Sequence, residues 1–139
     1  MNVMLDLNVL LEVIQKRQPH FAASAAVVGL AARGSVAAQI PSHALTTIHY
    51  VVRKHAGQAK ADETIDWLLG KLRVAPAGKA EYLRARTLEI ADFEDAVVAS
   101  LAEAGRCRCI VTRNVEDFGK SPVPAVTPEE FLASLPGAA

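Results

Sequence analysis

Five side chains have types and positions that could do chemistry together: the carboxylates of Asp6, Asp92, Asp95 and Asp117, and the amide of Asn114. Asp6 interrupts the stretch "VMLDLNVLLE", where the apolar residues on both sides favour burial. A lone acid there makes sense at a strand end where something cationic waits. Asp92 and Asp95 open the stretch "DFEDAVVASLAEAG", and Asn114 and Asp117 follow the apolar run "CRCIVT". Carboxylates brought to one place repel and raise one another's pKa. A hard divalent cation removes that conflict, and Mg²⁺ prefers oxygen ligands, keeps several waters and commonly takes only one or two carboxylates directly. Such a site can activate water and stabilise an in-line phosphoryl displacement. The sequence has no G-x-S-x-G, no catalytic Cys–His pattern and no glycine loop that would cradle phosphate.

The elements that must position these residues alternate. The pattern predicts strands over Met1–Leu5, Val36–Ile40, within "LRVAPA", over "CRCIVT" and over "VPAV". Helices are expected from Asn8 to Arg17, from Pro19 to about Gly34, from Ser42 to before Gly57, and over 59–72, where Ile65, Leu68, Leu69 and Leu72 fall at helical spacing. Further helices are expected over "GKAEYLRARTLEI", "DFEDAVVASLAEAG" and "TPEEFLASL". The last has Thr127 as N-cap, Pro128 at the first helical position and Glu130 completing a capping box. Strands separated by helices imply a parallel sheet covered on both faces. The fold class is therefore α/β, a three-layer arrangement with a central parallel sheet of about four or five strands flanked by helices, and residues 1–139 form one domain. Ligands in such sheets bind outside the carboxyl ends of the strands, and all five candidate residues map to that edge.

Ordinary structural roles compete for the same residues. Asp92 is a good N-cap, with Asp95 at capping-box-like spacing, and acids suit a helix N-terminus electrostatically. Asn8 reads as an N-cap and Asp117 as a turn residue. Asp6 has the weakest such explanation.

Composition excludes several classes. Just over half of the 139 residues are apolar, with few aromatics, and 15 basic residues balance 15 acidic ones. Global charge therefore gives no argument for nucleic-acid binding, and any such site must be local. No apolar run approaches the roughly 20 residues that span a membrane, and no signal segment opens the sequence, which points to the cytoplasm. Cys107 and Cys109 stand two apart on an expected strand, projecting to one face, and read as reduced core thiols rather than a metal or redox pair.

Three pieces, "MLDLNVLLE", "DFEDAVVAS" and "IVTRNVEDF", occur in an order that makes the chain resemble PIN-domain proteins of the VapC-type toxin group, and "HALTTIHYVVRK" between them resembles one subgroup of small bacterial PIN proteins. The resemblance spans essentially the whole chain. It implies a PIN-like fold and a Mg²⁺- or Mn²⁺-dependent endoribonuclease with an acidic pocket. By position, Asp6 matches the first metal-site acid and Asp95 the acid at the helix start, with Asp92 beside it. Asn114 falls where a fourth acid often lies, and Asp117 is the later acid of that motif. Two positions depart: Thr47 stands nearest to where the family usually has Glu, and Asn114 replaces an acid. The resemblance also implies a toxin–antitoxin pair, with a cognate antitoxin and a homodimer as partners.

RNA needs cations near its phosphates. Arg53 and Lys54 on the helix that carries His49, and Arg113 beside the last acidic motif, are the candidates, although each also suits a solvated surface. The main alternative to a ribonuclease is a non-catalytic PIN-like module binding RNA or protein through a degenerate acidic site, a reading that Thr47 and Asn114 favour. A phosphatase or phosphoacceptor domain would also put Asp after its first strand. It would need a second Asp where Asn8 stands, or a Lys directly after "CRCIVT", and the sequence has neither.

Overall fold

Short apolar runs become strands here because each can be buried on both faces. The computed structural model describes residues 2–137. Met1 of the expected first strand and Ala138–Ala139 of the terminal "PGAA" lie outside the described residues. The strands are β1 (Asn2–Leu5), β2 (Ala37–Pro41), β3 (Arg73–Ala75), β4 (Cys109–Val111) and β5 (Ala125–Val126). The helices are α1 (Leu7–Ile14), α2 (Phe21–Ala32), α3 (Ser42–Ala56), α4 (Gln58–Lys71), α5 (Lys79–Thr87), α6 (Phe93–Ala104) and α7 (Pro128–Ala133), with a 3₁₀ turn at Val115–Phe118. The five strands form one sheet in the order β3-β2-β1-β4-β5, and every neighbouring pair is parallel.

Side-chain alternation along the strands divides the core into two layers. Val3, Leu5 and Val111 face a cluster with Val9, Leu10, Val27, Ile48, Leu68 and Phe131, contributed by α1 to α4 and α7. Met4 and Ile110 face the other side, against Val97, Val98 and Leu101 of α6 and Phe118. Helix α6 is buried at every position from Ala96 to Ala102. Its small residues let it lie close against the sheet, which fixes the start of the helix at the strand ends. The three-layer α/β expectation is met.

Several local expectations are corrected. Asp6, not Asn8, caps α1: it has extended dihedrals and its carboxylate accepts from the Leu7 N–H. Asn8 lies inside the helix and its amide reaches across to the end of β4. Pro41 occupies the N-cap position of α3, and the Ser42 hydroxyl instead accepts from the Ala77 N–H at 3.3 Å. Strand β4 begins only at Cys109, so Cys107 lies in the approach to it, and the two thiols enter opposite core layers rather than one face. Both are free and buried. The Thr127–Glu130 capping box and Pro128 at the start of α7 are as expected.

One polar network crosses the first layer. Glu12 on α1 is buried and accepts from the Ser24 hydroxyl of α2 at 2.6 Å. Arg113, just after β4, grips both Glu12 oxygens at 3.1 Å and turns its remaining nitrogen to Glu129 of α7 at 2.8 Å. Burial alone would push the Glu12 carboxyl up, but the hydrogen bonds from Arg113 and Ser24 more than offset it and hold the group below the usual carboxylate range. Removing one partner of a buried pair leaves a charge uncompensated. Glu12→Ala is expected to cost about 3 kcal/mol, at the lower end for such pairs because Arg113 keeps Glu129. A group held low stabilises above its unfolded pKa and loses that contribution as pH falls through its folded one. The gap between wild type and Glu12→Ala in urea denaturation should therefore narrow below about pH 4; a gap that is constant with pH would dismiss the pair as a clamp.

Candidate active site

The chain builds β1, β2 and β3 outward on one side of the sheet, then crosses back to place β4 and β5 on the other. The reversal lies between β1 and β4, and the crevice at such a switch point is where open α/β sheets bind ligands. Asp6 leaves the end of β1 there. Its N–H donates to the Val111 carbonyl of β4 at 3.0 Å, and its second carboxylate oxygen accepts from the Thr112 hydroxyl at 2.8 Å. The Thr112 oxygen in turn accepts from the Asn8 amide at 3.3 Å and from the Asn114 N–H at 3.1 Å. The Asn8 carbonyl oxygen accepts from the Arg113 N–H. These bonds fix the carboxylate and the loop after β4 as one unit.

Asp92 caps α6, accepting from the Asp95 N–H at 3.0 Å. Capping is therefore real, and it also aims the first turn of α6 at the strand ends. Burial pushes the Asp95 carboxyl up to about 7, assisted by the negative charges of Asp92, Asp6, Asp117 and Glu94 in that order. Asp6 is also raised, chiefly by burial and partly by Glu94, with the Thr112 and Leu7 hydrogen bonds and nearby His43 opposing. Asp6, Asp92, Asp95 and Asp117 thus share one electrostatic neighbourhood. A cleft of about 550 Å³ is lined by Asp92, Asp95, Glu116, Asp117, Glu89 and Lys120, with Asp6 buried outside that lining. Asn114 is exposed at the start of the 3₁₀ turn, and its carbonyl accepts from the Asp117 N–H.

The three basic candidates do not join this group. Arg113 is spent on Glu12 and Glu129 and is only 18% exposed. Arg53 and Lys54 flank the Tyr50 ring near the end of α3, and roughly 16 Å of helix separates Arg53 from Ser42 at its start. His49 on the same helix pairs with Asp62 at 2.8 Å. What α3 does bring to the acids is His43, in its first turn, with Thr47 one turn further along. Sequence reasoning passed over His43, Thr112 and, as a positioning group, Asn8. The available signal was placement: residues that end a strand or open a helix at the carboxyl edge face the crevice.

Among the described residues no three His, Cys, Asp or Glu side chains converge closely enough to hold an ion by themselves. The donor chemistry nevertheless suits a hard cation. It is all oxygen, its like charges are uncompensated, and Mg²⁺ needs only one or two carboxylates beside its waters.

The profile described as "PIN domain" matches residues 2–116. The chain belongs to the PIN domain family. The PIN fold is likewise the fold of its structural neighbours. VapBC2 from Rickettsia felis, bound to a DNA fragment from its promoter, superposes with a TM-score of 0.70 at 21% identity, over 91% of this chain and 98% of that one. A toxin–antitoxin complex from Klebsiella pneumoniae gives 0.70 at 17% identity, over 91% and 97%. VapC20 from Mycobacterium tuberculosis, a Sarcin-Ricin loop cleaving toxin, gives 0.61 at 10% identity, over 78% and 86%. No curated protein matches the sequence significantly. No helix among the described residues is long and apolar enough to cross a membrane.

The acid cluster has a measurable consequence without any ligand. The folded protein holds the Asp95 proton more tightly than the unfolded chain does, so stability falls as pH climbs from the ordinary carboxylate value toward 7. Asp95→Asn should raise the melting temperature in metal-free buffer, and by more at about pH 8 than at about pH 5. Thermal denaturation in EDTA at both values tests this; no gain at the higher pH would mean that burial and the neighbouring acids do not hold the Asp95 proton.

Proposed function

We propose that this PIN protein is a divalent-metal-dependent endoribonuclease and the toxin of a toxin–antitoxin pair. The observation that supports the reading is the gathering of Asp6, Asp92, Asp95 and Asp117 at the β1/β4 switch, where burial, assisted by the charges of its neighbours, raises Asp95 to about 7. Asp6 and Asp95 are the residues that would hold Mg²⁺ or Mn²⁺. When bound, the ion supplies an activated water and neutralises charge developing on the phosphate. The protein's own part is positional. Thr112 and the Leu7 N–H keep the Asp6 carboxylate in one orientation, and Asp92 orders the α6 turn that presents Asp95. Asp117 lines the cleft from the turn after β4, and Asn114 opens that turn.

The solved neighbours support the role only as analogues: one is a toxin–antitoxin complex and one a Sarcin-Ricin loop cleaving toxin. An antitoxin that offers Arg or Lys to the pocket would neutralise the carboxylates with charge-assisted hydrogen bonds. A homodimer and a cytoplasmic location belong to the same reading. Arg53 and Lys54 remain candidates for contacting RNA beyond the pocket, since both are exposed. The competing reading, a non-catalytic PIN module, draws on Thr47 and Asn114, which supply no charge where relatives often have acids.

Purified protein with Mn²⁺ should cleave single-stranded or looped RNA, and EDTA should stop it. Asp6→Asn and Asp95→Asn should each lower the rate at least about a hundredfold, the scale of losing one group that stabilises transition-state charge, with native circular dichroism retained. A broad RNA panel left intact by folded, Mn²⁺-loaded protein would hand the site to the non-catalytic reading.

A further inference from the structure

Few aromatic residues serve this chain, and the core takes Phe118 and Phe131. Two others stand together at the surface. Tyr82 of α5 and Phe93 of α6 are 39% and 47% exposed, and their rings stack with centroids 6.0 Å apart and planes 25° from parallel. Phe93 lies between Asp92 and Glu94 in the first turn of α6. The pair borders a depression of about 220 Å³ completed by His43, Glu94 and Val97. The depression adjoins the acids, because Asp6 feels the charges of both Glu94 and His43. The Nε2 atom of His43 is buried and has no hydrogen-bond partner among the described residues, a cost of about 1–3 kcal/mol.

We propose that Tyr82, Phe93 and His43 form a subsite for one unpaired nucleobase of the RNA whose backbone crosses the acid cluster. This rests on the ribonuclease reading and names what that site selects. Proteins that read unpaired RNA stack its bases on aromatic faces and hydrogen-bond their edges. The depression offers an aromatic platform, the His43 side chain on its wall and the Glu94 carboxylate as an acceptor. A neutral planar ring with N–H donors suits it, whereas an anionic group would be repelled by Glu94 and its neighbours. Its small size fits one ring system rather than a helix of a protein partner.

The test uses single-stranded RNA oligomers that the wild type cleaves, each also made with one abasic nucleotide at successive positions. One abasic position near the cut should lower kcat/KM about tenfold for the wild type, the scale of one lost base–aromatic stack. Phe93→Ala and Tyr82→Ala should lower kcat/KM similarly on intact RNA and lose the penalty at that abasic position, while Phe93→Trp should retain both rate and penalty. Wild-type cleavage with an unchanged abasic profile in both alanine variants overturns this inference alone. The same result with an altered elution volume assigns the pair to a protein contact and also overturns it. A wild type that neither cleaves nor binds any RNA overturns the ribonuclease reading and this subsite with it.

Discussion

The adjacency of β1 and β4 is the constraint on which the rest depends. Residues 106 apart in sequence meet when the Thr112 hydroxyl donates to the Asp6 carboxylate, directly beyond the Leu5–Val111 pairing of the two strands. That pairing decides which side of each strand faces which layer, so it also decides that the chain emerges from both strands into one crevice. A buried carboxylate such as Asp6 is costly without partners. Here it has two hydrogen-bond donors, one from its own helix and one from the neighbouring strand. The same bonds that make Asp6 tolerable fix its orientation at the β1/β4 switch.

The acids impose a cost that the surrounding packing offsets. Asp95 is pushed up by burial and by four negative neighbours, so the site strains against its own folding at neutral pH. Helix α6 can carry that strain because seven successive residues behind the acidic turn are buried. At roughly 25 cal/mol per Å² of buried apolar surface, such a run contributes several kcal/mol. The division of labour along one helix is plain: its first turn is electrostatically unfavourable and its remainder anchors it.

How much of this could be read in advance follows from whether a residue's role is local. The Thr127 capping box, the Asp92 cap and the alternation of strands with helices depend on neighbours within a few positions, and all are present as the sequence suggested. Asp6 was legible because it violates an apolar pattern. The partners of Arg113 were not: Glu12 and Glu129 are distant in sequence, and nothing local distinguishes an arginine that binds phosphate from one that grips a buried glutamate. The cysteine faces failed for a related reason. Their expected common face assumed that both lie in regular strand, but pairing with β1 and β5 extends only over Cys109–Val111. His43 carried only the signal of its placement, in the turn where α3 opens at the strand ends.

The placement of Arg113 completes the electrostatic logic. It directly precedes Asn114 in the acidic loop and would be the nearest cation to quench the carboxylates. Instead its guanidinium turns away into the first layer, where Glu12 and Glu129 neutralise it. The other cation at the cleft, Lys120, reaches Glu89 rather than the Asp95 group. Opposite charges within about 4–6 Å would lower the carboxylate pKa values, and Asp95 shows the reverse. The fold therefore does two things with one pair of residues. Glu12 secures the loop that carries Asn114 and Asp117, and by holding Arg113 it keeps the acid cluster unneutralised. That leaves the carboxylates around Asp95 with more negative than positive charge about them, the environment that the proposed metal ion would meet.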